Sequence, residues 1–538
     1  MISFDHSPTV YWFLGYLLAG LVIVSSRLNR VPISLYLVLC MALLVFMRLP
    51  VVVYNREINP DESQMISHAI TLFQDAVYWR SVDGTTIGPL DNYLLVLPKL
   101  LGFQLNYSSG RFMGLLCTAG SLLFLFFSIK NWFGANVARG LILVPLFLLA
   151  FTQEIDFVHN SSEQLPIFLL AWNTWLLSRL STSNRNFTRN AFLIGFVAGT
   201  IPFAKLQAVP QAFVIALAAF WFCYLHFRKN NEFRPILTLI AGGLSFPFCV
   251  LIWTLSNAVF NDLIDFYILG NMVYAEGATL PQIPSQFIKI LALSSDFQLF
   301  TLTIVIAILA GIYFHFKNPD KRREGMEIRF FILMLVLSSI YAITKSGNDF
   351  IHYLNFCIIP LTLLAASATA RLGKWASVFP LVLLCWFVGN DAFSYAREGM
   401  LNKFNSVNAR TLGESPVVTE LKKYSKKGDY MTVWGWQCVY YVEAQLAQGT
   451  SENHTERSIF NHPMRETYRR KFLSDLNRTK PAFILDAVGK NSVWVQNKET
   501  QGISSYPELF QYVQMHYKLA GDFDDTRLYV RKDRLTLR

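Results

Sequence analysis

Two carboxylates stand side by side in Asn59-Pro60-Asp61-Glu62-Ser63, just after a long apolar run. A carboxylate fixed next to a substrate hydroxyl can take its proton as the oxygen attacks, which is general-base chemistry. The same residues also read as a helix start, with Pro60 or Asp61 opening it and the acids complementing the dipole. The two readings are compatible, because a dipole-stabilised carboxylate stays ionised and able to accept a proton. Two cations are placed where an anion could meet them. Lys205, in Pro202-Phe203-Ala204-Lys205-Leu206-Gln207, lies between two apolar stretches, where a charge is costly unless it meets an anion or water. Arg111 opens another apolar run, where its side chain could equally snorkel to the interface.

Further polar groups gather in two places. Lys345-Ser346-Gly347-Asn348-Asp349-Phe350-Ile351-His352-Tyr353 is either a turn able to hold a sugar or phosphate, or a plain polar connection. Glu154, Asp156, His159 and Glu163 form a second acidic group.

These residues must be positioned by a membrane-embedded scaffold. The 538-residue chain is 53% hydrophobic and 15% charged, against roughly 25% charged in soluble domains. Apolar runs near the roughly 20 residues that span a bilayer recur at about 9–26, 33–53, 110–129, 140–152, 165–180, 191–204, 208–227, 235–256, 298–316, 329–344, 352–370 and 375–390. Every second connection is basic: Arg27 and Arg30; Lys130 and Arg139; Arg179, Arg185 and Arg189; Arg228, Lys229 and Arg234; Lys317, Lys321, Arg322, Arg323 and Arg329; Arg371 and Lys374. The positive-inside rule places these loops in the cytoplasm and both termini outside. They also account for the net charge of +11 without nucleic acid, for which no motif is present. The first span runs on into a second and does not read as a cleaved signal peptide. Only Cys438 lies outside the spans, so the tail has no internal disulfide, and no Cys/His pattern suggests a metal finger.

Three segments depart from the apolar background. The outer loop at about 54–109 has Met65, Ile66, Ile70, Leu72, Phe73 and Val77 at near-helical spacing, which predicts short helices lying along the membrane surface. A second outer loop spans about 257–297. The tail from about 391 predicts a small α/β domain with strands at Tyr430–Trp434, Ala482–Leu485 and Arg527–Arg531 and helices at Val439–Ala447 and Thr467–Leu476.

The order of a span, an acidic outer loop with Pro60-Asp61-Glu62, a stretch with Gly88-Pro89-Leu90, Arg111 at the next span, Lys205 and Ile351-His352-Tyr353-Leu354 resembles the GT-C glycosyltransferases. The closest likeness is to the aminoarabinose lipid A transferases and the protein O-mannosyltransferase-like enzymes, over about residues 33–390. The resemblance implies a mainly α membrane protein: a GT-C-like bundle of about 12 transmembrane helices at 1–390, with amphipathic outer-loop helices and 54–109 as first catalytic loop. An extracytoplasmic α/β domain at 391–538 would follow. It implies a multi-pass inner-membrane enzyme taking a sugar from a polyprenyl-phosphate donor to a lipid, glycan or protein acceptor, with inversion. In that family pattern Asp61 is the base or orients the acceptor, Glu62 supports it, Lys205 and Arg111 face the donor phosphate, and Glu163, His352, Tyr353 and Asp91 line the donor or acceptor pocket. One departure matters. The aminoarabinose transferases carry Glu-Lys before the loop proline, where this chain has Ile87-Gly88 before Pro89. That metal site and phosphate-binding lysine are not carried over; the nearby Asp83 and Asp91 could serve other roles, no cofactor is required, and a divalent ion stays an open alternative without support in the sequence.

Two other classes compete. A transporter or flippase would fit the many spans, but no paired halves with matching broken helices are present. A non-catalytic assembly protein would leave Asp61 exposed and far from any cavity.

Overall fold

Every apolar run read as a span is helical in the computed structural model, which describes residues 4–28, 30–275, 277–317, 325–407 and 409–535. Lys321, Arg322 and Arg323 of the expected basic loops lie outside the described residues. Among the described residues nine helices are long and apolar enough to cross a membrane, so the chain is a multi-pass membrane protein. The difference from twelve falls on three segments. Ala135–Phe151 is short and interrupted after Leu141. Phe187–Thr200 has only 14 residues. Gln164–Thr182 carries the polar Asn173, Thr174, Ser178 and Arg179. A count of about twelve is therefore not confirmed.

The chain divides into two units that cut across sequence order. The first comprises Met1–Val53, Gly114–Leu251 and Ala275–Val407 and holds the apolar helices. Its helices approach closely where side chains are smallest. A Cβ on Gly199 would lie 2.2 Å from the Gly243 carbonyl oxygen, and one on Gly195 would lie 2.0 Å from that of Leu239. Without a hydrophobic force between helices in lipid, such small-residue seams supply dispersion contact. Two basic residues read as cytoplasmic meet at one end of this unit. Arg139 donates to the carbonyls of Ser25 (3.2 Å) and Leu28 (3.1 Å), capping the Pro8–Arg27 helix where the dipole is negative. Arg27 Nε donates to Ser377 Oγ at 2.9 Å.

The second unit joins Tyr54–Met113, Ile252–Tyr274 and Asn408–Arg538. Its sheet has five strands: β1 Tyr430–Trp434, β2 Ala447–Gln448, β3 Phe483–Asp486, β4 Tyr517–Phe523 and β5 Thr526–Arg531, in the order β2-β1-β3-β5-β4. β2, β1 and β3 run parallel, and β5 pairs antiparallel with β3 and β4. Val433, Leu485 and Leu528 centre the core on one face of the sheet, with Trp434, Ile484 and Phe472 on the other. This is the small α/β domain expected from the tail.

The outer-loop helices form as expected, at Pro60–Gln74 and Pro89–Leu100. The first, however, does not lie along a membrane surface. It is buried on every side from Glu62 to Leu72. Its polar residues meet the polar segment that follows β2: Asn453 Nδ2 donates to Ser67 Oγ (2.6 Å) and the Gln64 carbonyl (3.0 Å), and the Gln448 N–H donates to Thr71 Oγ1 (3.0 Å). The period of the apolar residues alone could not reveal that the polar face would be covered too.

Candidate active site

In the second unit the Asn-Pro-Asp-Glu motif opens a helix. Asn59 is the N-cap, its Oδ1 accepting the Asp61 N–H at 3.0 Å, and Pro60 takes the first helical position. The two acids then part company. Glu62 turns inward, fully buried, and both its oxygens meet the Arg111 fork: Nε to Oε1 at 2.7 Å and Nη2 to Oε2 at 2.6 Å. Arg111 also donates to the carbonyls of Arg56 (2.6 Å) and Tyr54 and stacks near the rings of Tyr54 and Tyr107. It is 3% exposed and does not snorkel. Asp61 remains half-buried at the helix start.

A carboxyl that sequence reasoning missed stands beside this pair. Burial pushes Glu57 up to about 7, with a hydrogen bond from Ser63 opposing and the charges of Glu62, Glu443 and Asp61 adding to the rise. Its sequence signal was slight: a single acid four residues before Asp61, in a loop with no period. Asp91 is buried in the first turn of the Pro89–Leu100 helix, within Coulombic reach of the Tyr267 hydroxyl.

In the first unit a chain of charges forms around Lys205. The backbone there is broken: helix Phe187–Thr200 gives way to 3₁₀ turns at Ile201–Phe203 and Leu206–Ala208, and Lys205 between them is extended. Pro202 and Pro210 fit this interruption, since neither has an N–H to give a continuous helix. The buried ammonium pairs with Glu163, donates to Ser162 Oγ (2.6 Å) and lies 5.4 Å from the Tyr353 ring centre. Glu163 Oε1 is 4.0 Å from His352 Nε2, and His352 Nδ1 is 3.2 Å from Asp156. His159 packs edge-on against His352, ring centres 5.6 Å apart. Burial opposes the charge on Glu163, yet Lys205 and the two histidines hold it down at about 2. Lys205, Glu163, His352 and Tyr353, four of the residues singled out in the sequence, thus come together.

Other expected clusters divide. Glu154 leaves the acidic group to accept from Ser294 Oγ (2.5 Å) and the Asp296 N–H (3.1 Å) at the start of helix Ser295–Lys317. Asp349 turns to Lys289 at 2.6 Å, while Tyr353 faces Lys205 and His352 faces Glu163.

Beyond Lys205 an apolar groove of about 1040 Å³ runs between helices Val209–Asn230 and Met326–Thr344. Pro210 and Tyr341 line it near the Lys205 end, and Trp221 and Met326 line it a helix length away. Gln207, two residues from Lys205, bridges the two helices at that end by donating to the Ala342 carbonyl at 3.1 Å.

No protein-family model matches the sequence, and no curated protein matches it. Solved structures do. ArnT from Cupriavidus metallidurans bound to undecaprenyl phosphate superposes with a TM-score of 0.55 at 11% identity, covering 93% of this chain and 98% of that one. The same protein in the apo state gives 0.44 at 10% identity, over 92% and 97% of the two chains. The Archaeoglobus fulgidus oligosaccharyltransferase in complex with Zn and sulfate gives 0.43 at 12% identity, over 84% of this chain and 68% of that one. The chain therefore has a fold like that of ArnT.

Proposed function

We propose that this protein is a membrane glycosyltransferase that moves a sugar from a polyprenyl-phosphate donor to a hydroxyl-bearing acceptor on the extracytoplasmic side of the membrane. The observation that carries the reading is the buried Lys205, five residues from Pro210, which lines one end of the long apolar groove. A cation near one end of an apolar groove suits an amphiphile with an anionic head and a long hydrocarbon tail. The ArnT structure of the same fold holds undecaprenyl phosphate, a molecule of that description.

The chemistry assigns roles. The acceptor oxygen attacks the anomeric carbon, its proton passes to Asp61, and the bond from that carbon to the phosphate oxygen breaks. The leaving group departs as polyprenyl phosphate, a diester becoming a monoester, which needs no acid but benefits from cations. Lys205 is proposed to face that phosphate, oriented by Glu163, with His352 and Tyr353 alongside. Arg111, expected at the phosphate, is instead assigned to Glu62, whose fork-to-carboxylate pair fixes the helix that carries Asp61. Attack opposite the leaving group gives inversion. The alternation of basic loops supports an outer location for the second unit and an inner-membrane setting.

The test is a photoreactive undecaprenyl phosphate added to the purified protein in nanodiscs. Specific labelling, competed by undecaprenyl phosphate and reduced about tenfold or more in Lys205→Ala, is expected, as for loss of a charge-assisted contact of about 1.5–3 kcal/mol. Labelling that is equal in the variant and not competed would remove the donor from this reading.

A further inference from the structure

A tryptophan is held in a left-handed conformation on the surface of the second unit. Trp494 has φ of +60° and is 54% exposed. A bulky residue with positive φ is a genuine outlier, and such strain persists only where the surroundings impose it. The surroundings here are specific. The Val495 N–H closes a three-residue turn onto the Val493 carbonyl at 2.7 Å, and the Val493 N–H donates to the Trp436 carbonyl at 3.1 Å. The Trp436 N–H returns to Ser492 Oγ at 2.9 Å. The loop after β1 and the loop after β3 are thereby laced together, and both leave the carboxyl ends of adjacent parallel strands. Crevices outside the carboxyl ends of parallel strands are where α/β sheets bind ligands. Gly435, with φ of +115°, permits the tight exit from β1, since a Cβ there would stand 2.9 Å from Ala487 and Val488 backbone.

What this lacing presents is aromatic. The rings of Trp436 and Trp494 meet edge to face, centres 5.0 Å apart at 81°. The buried His454 ring centre lies 4.4 Å from that of Trp436, and burial keeps its imidazole neutral, down at about 3. Trp436 Nε1 is a buried donor with no acceptor among the described residues, a state that an ordered water or a ligand oxygen relieves. The two loops also carry amides and charges: Gln437, Asn491, and Lys490 paired with Asp524. An exposed ring on loops of this composition is unlike a lipid-inserting patch, whose margins would also be apolar. It matches a pyranose, which offers C–H bonds to a ring face and hydroxyls to the polar margin.

The aromatic group also adjoins the helix that carries Asp61. Asn453, next to His454, donates to Gln64 and Ser67 of that helix, and Asp61 lies within Coulombic reach of Cys438, two residues past Trp436.

We propose that Trp494, backed by the buried Trp436 and His454, forms a saccharide-binding platform, and that the sugar stacked on it belongs to the acceptor. The binding site stands on the geometry above; its assignment to the acceptor rests on the glycosyltransferase reading.

The test uses the full chain in nanodiscs, with chitotriose and cellotriose as probes and saturation-transfer NMR as the readout. Transfer to the ring C–H protons of at least one trisaccharide is expected. Trp494→Gly should abolish it while leaving the melting temperature unchanged or raised, because glycine relieves the positive φ. A tryptophan that merely packs would instead lower the melting temperature when removed. Trp494→Phe should retain part of the signal. Undecaprenyl-phosphate labelling should be unaffected in Trp494→Gly, so loss of labelling in the wild type would overturn the donor reading and leave the platform standing. The platform is overturned by an absent saccharide signal in the wild type, by a signal that survives in Trp494→Gly, or by a variant that loses binding to phosphatidylglycerol vesicles instead, which would mark Trp494 as a membrane anchor.

Discussion

Asp61→Asn and Glu62→Gln remove the same charge from adjacent residues, and the structure assigns them opposite consequences. The Asp61→Asn change keeps the size of the side chain and leaves the Asn59 cap in place, because the 3.0 Å bond there uses the residue's backbone N–H. What it loses is one negative charge at a helix N-terminus, about 0.3–1 kcal/mol. If Asp61 is the base, transfer falls by about 10²–10⁴, or about 2.7–5.4 kcal/mol in the barrier. The Glu62→Gln change has a different effect. It leaves the Arg111 guanidinium, 3% exposed, without its carboxylate. Breaking a buried pair from one side costs about 3–5 kcal/mol, a large share of a typical stability of about 5–15 kcal/mol. The first variant should be folded and inactive, the second markedly less heat-stable. The assay is release of undecaprenyl phosphate from an undecaprenyl-phosphate sugar by purified protein, read beside thermal unfolding in the same preparation. Near-normal turnover by Asp61→Asn refutes the base assignment. A Glu62→Gln protein as heat-stable as the wild type refutes the view that the Arg111 pair holds the helix.

The remaining predictions concern stability. Burial pushes Glu452 up to about 8, so the folded state holds a proton that the unfolded chain releases near the ordinary glutamate value of about 4.3. That contribution is full below the unfolded value and is lost as pH rises through the folded one, at up to about 1.4 kcal/mol per pH unit. Glu452→Gln should therefore flatten the fall of melting temperature between about pH 5 and pH 8; an unchanged slope would show that other groups set it. Gly199→Val should separate helices Phe187–Thr200 and Arg234–Ser256, since a Cβ would meet the Gly243 carbonyl at 2.2 Å, and a loss of about 1–3 kcal/mol is expected from overpacking. An unaltered melting temperature for Gly199→Val would show that the seam is not tight.

The sequence made the spans legible because apolar period and length are strong local signals, and it placed β1 at Tyr430–Trp434, as found. It made β3 and β5 legible to within a residue or so for the same reason. The two-residue β2 and the exposed β4 went unread, since neither carries an apolar alternation. The Asn-Pro-Asp-Glu helix start was legible because capping is local chemistry. Its burial was not, because the partner segment Gln448–Thr455 is polar and lies more than 370 residues away in the chain, as in the Gln448–Thr71 contact. Lys205 could be singled out from its apolar flanks. Its actual neighbours could not, because Glu163 and Asp156 come from one connection and His352 from another, and only the folded bundle brings them to Lys205.

The divergence of Asp61 and Glu62 follows from helix geometry. Consecutive residues on a helix point about 100° apart, so a pair of acids at a first turn cannot share one environment when one flank is buried. The flank that faces inward requires a counter-ion, and Arg111 meets it with two parallel bonds instead of one. A fork on a carboxylate fixes rotation as well as distance. With the Glu62 side locked, the direction of its neighbour is set by the helix itself, and Asn59 and Pro60 fix where that helix begins. A proton acceptor has to be held to within a fraction of an ångström of its substrate oxygen. On the proposed mechanism, the buried ion pair next to Asp61 is the device that aims that carboxylate, not a second acid in the reaction.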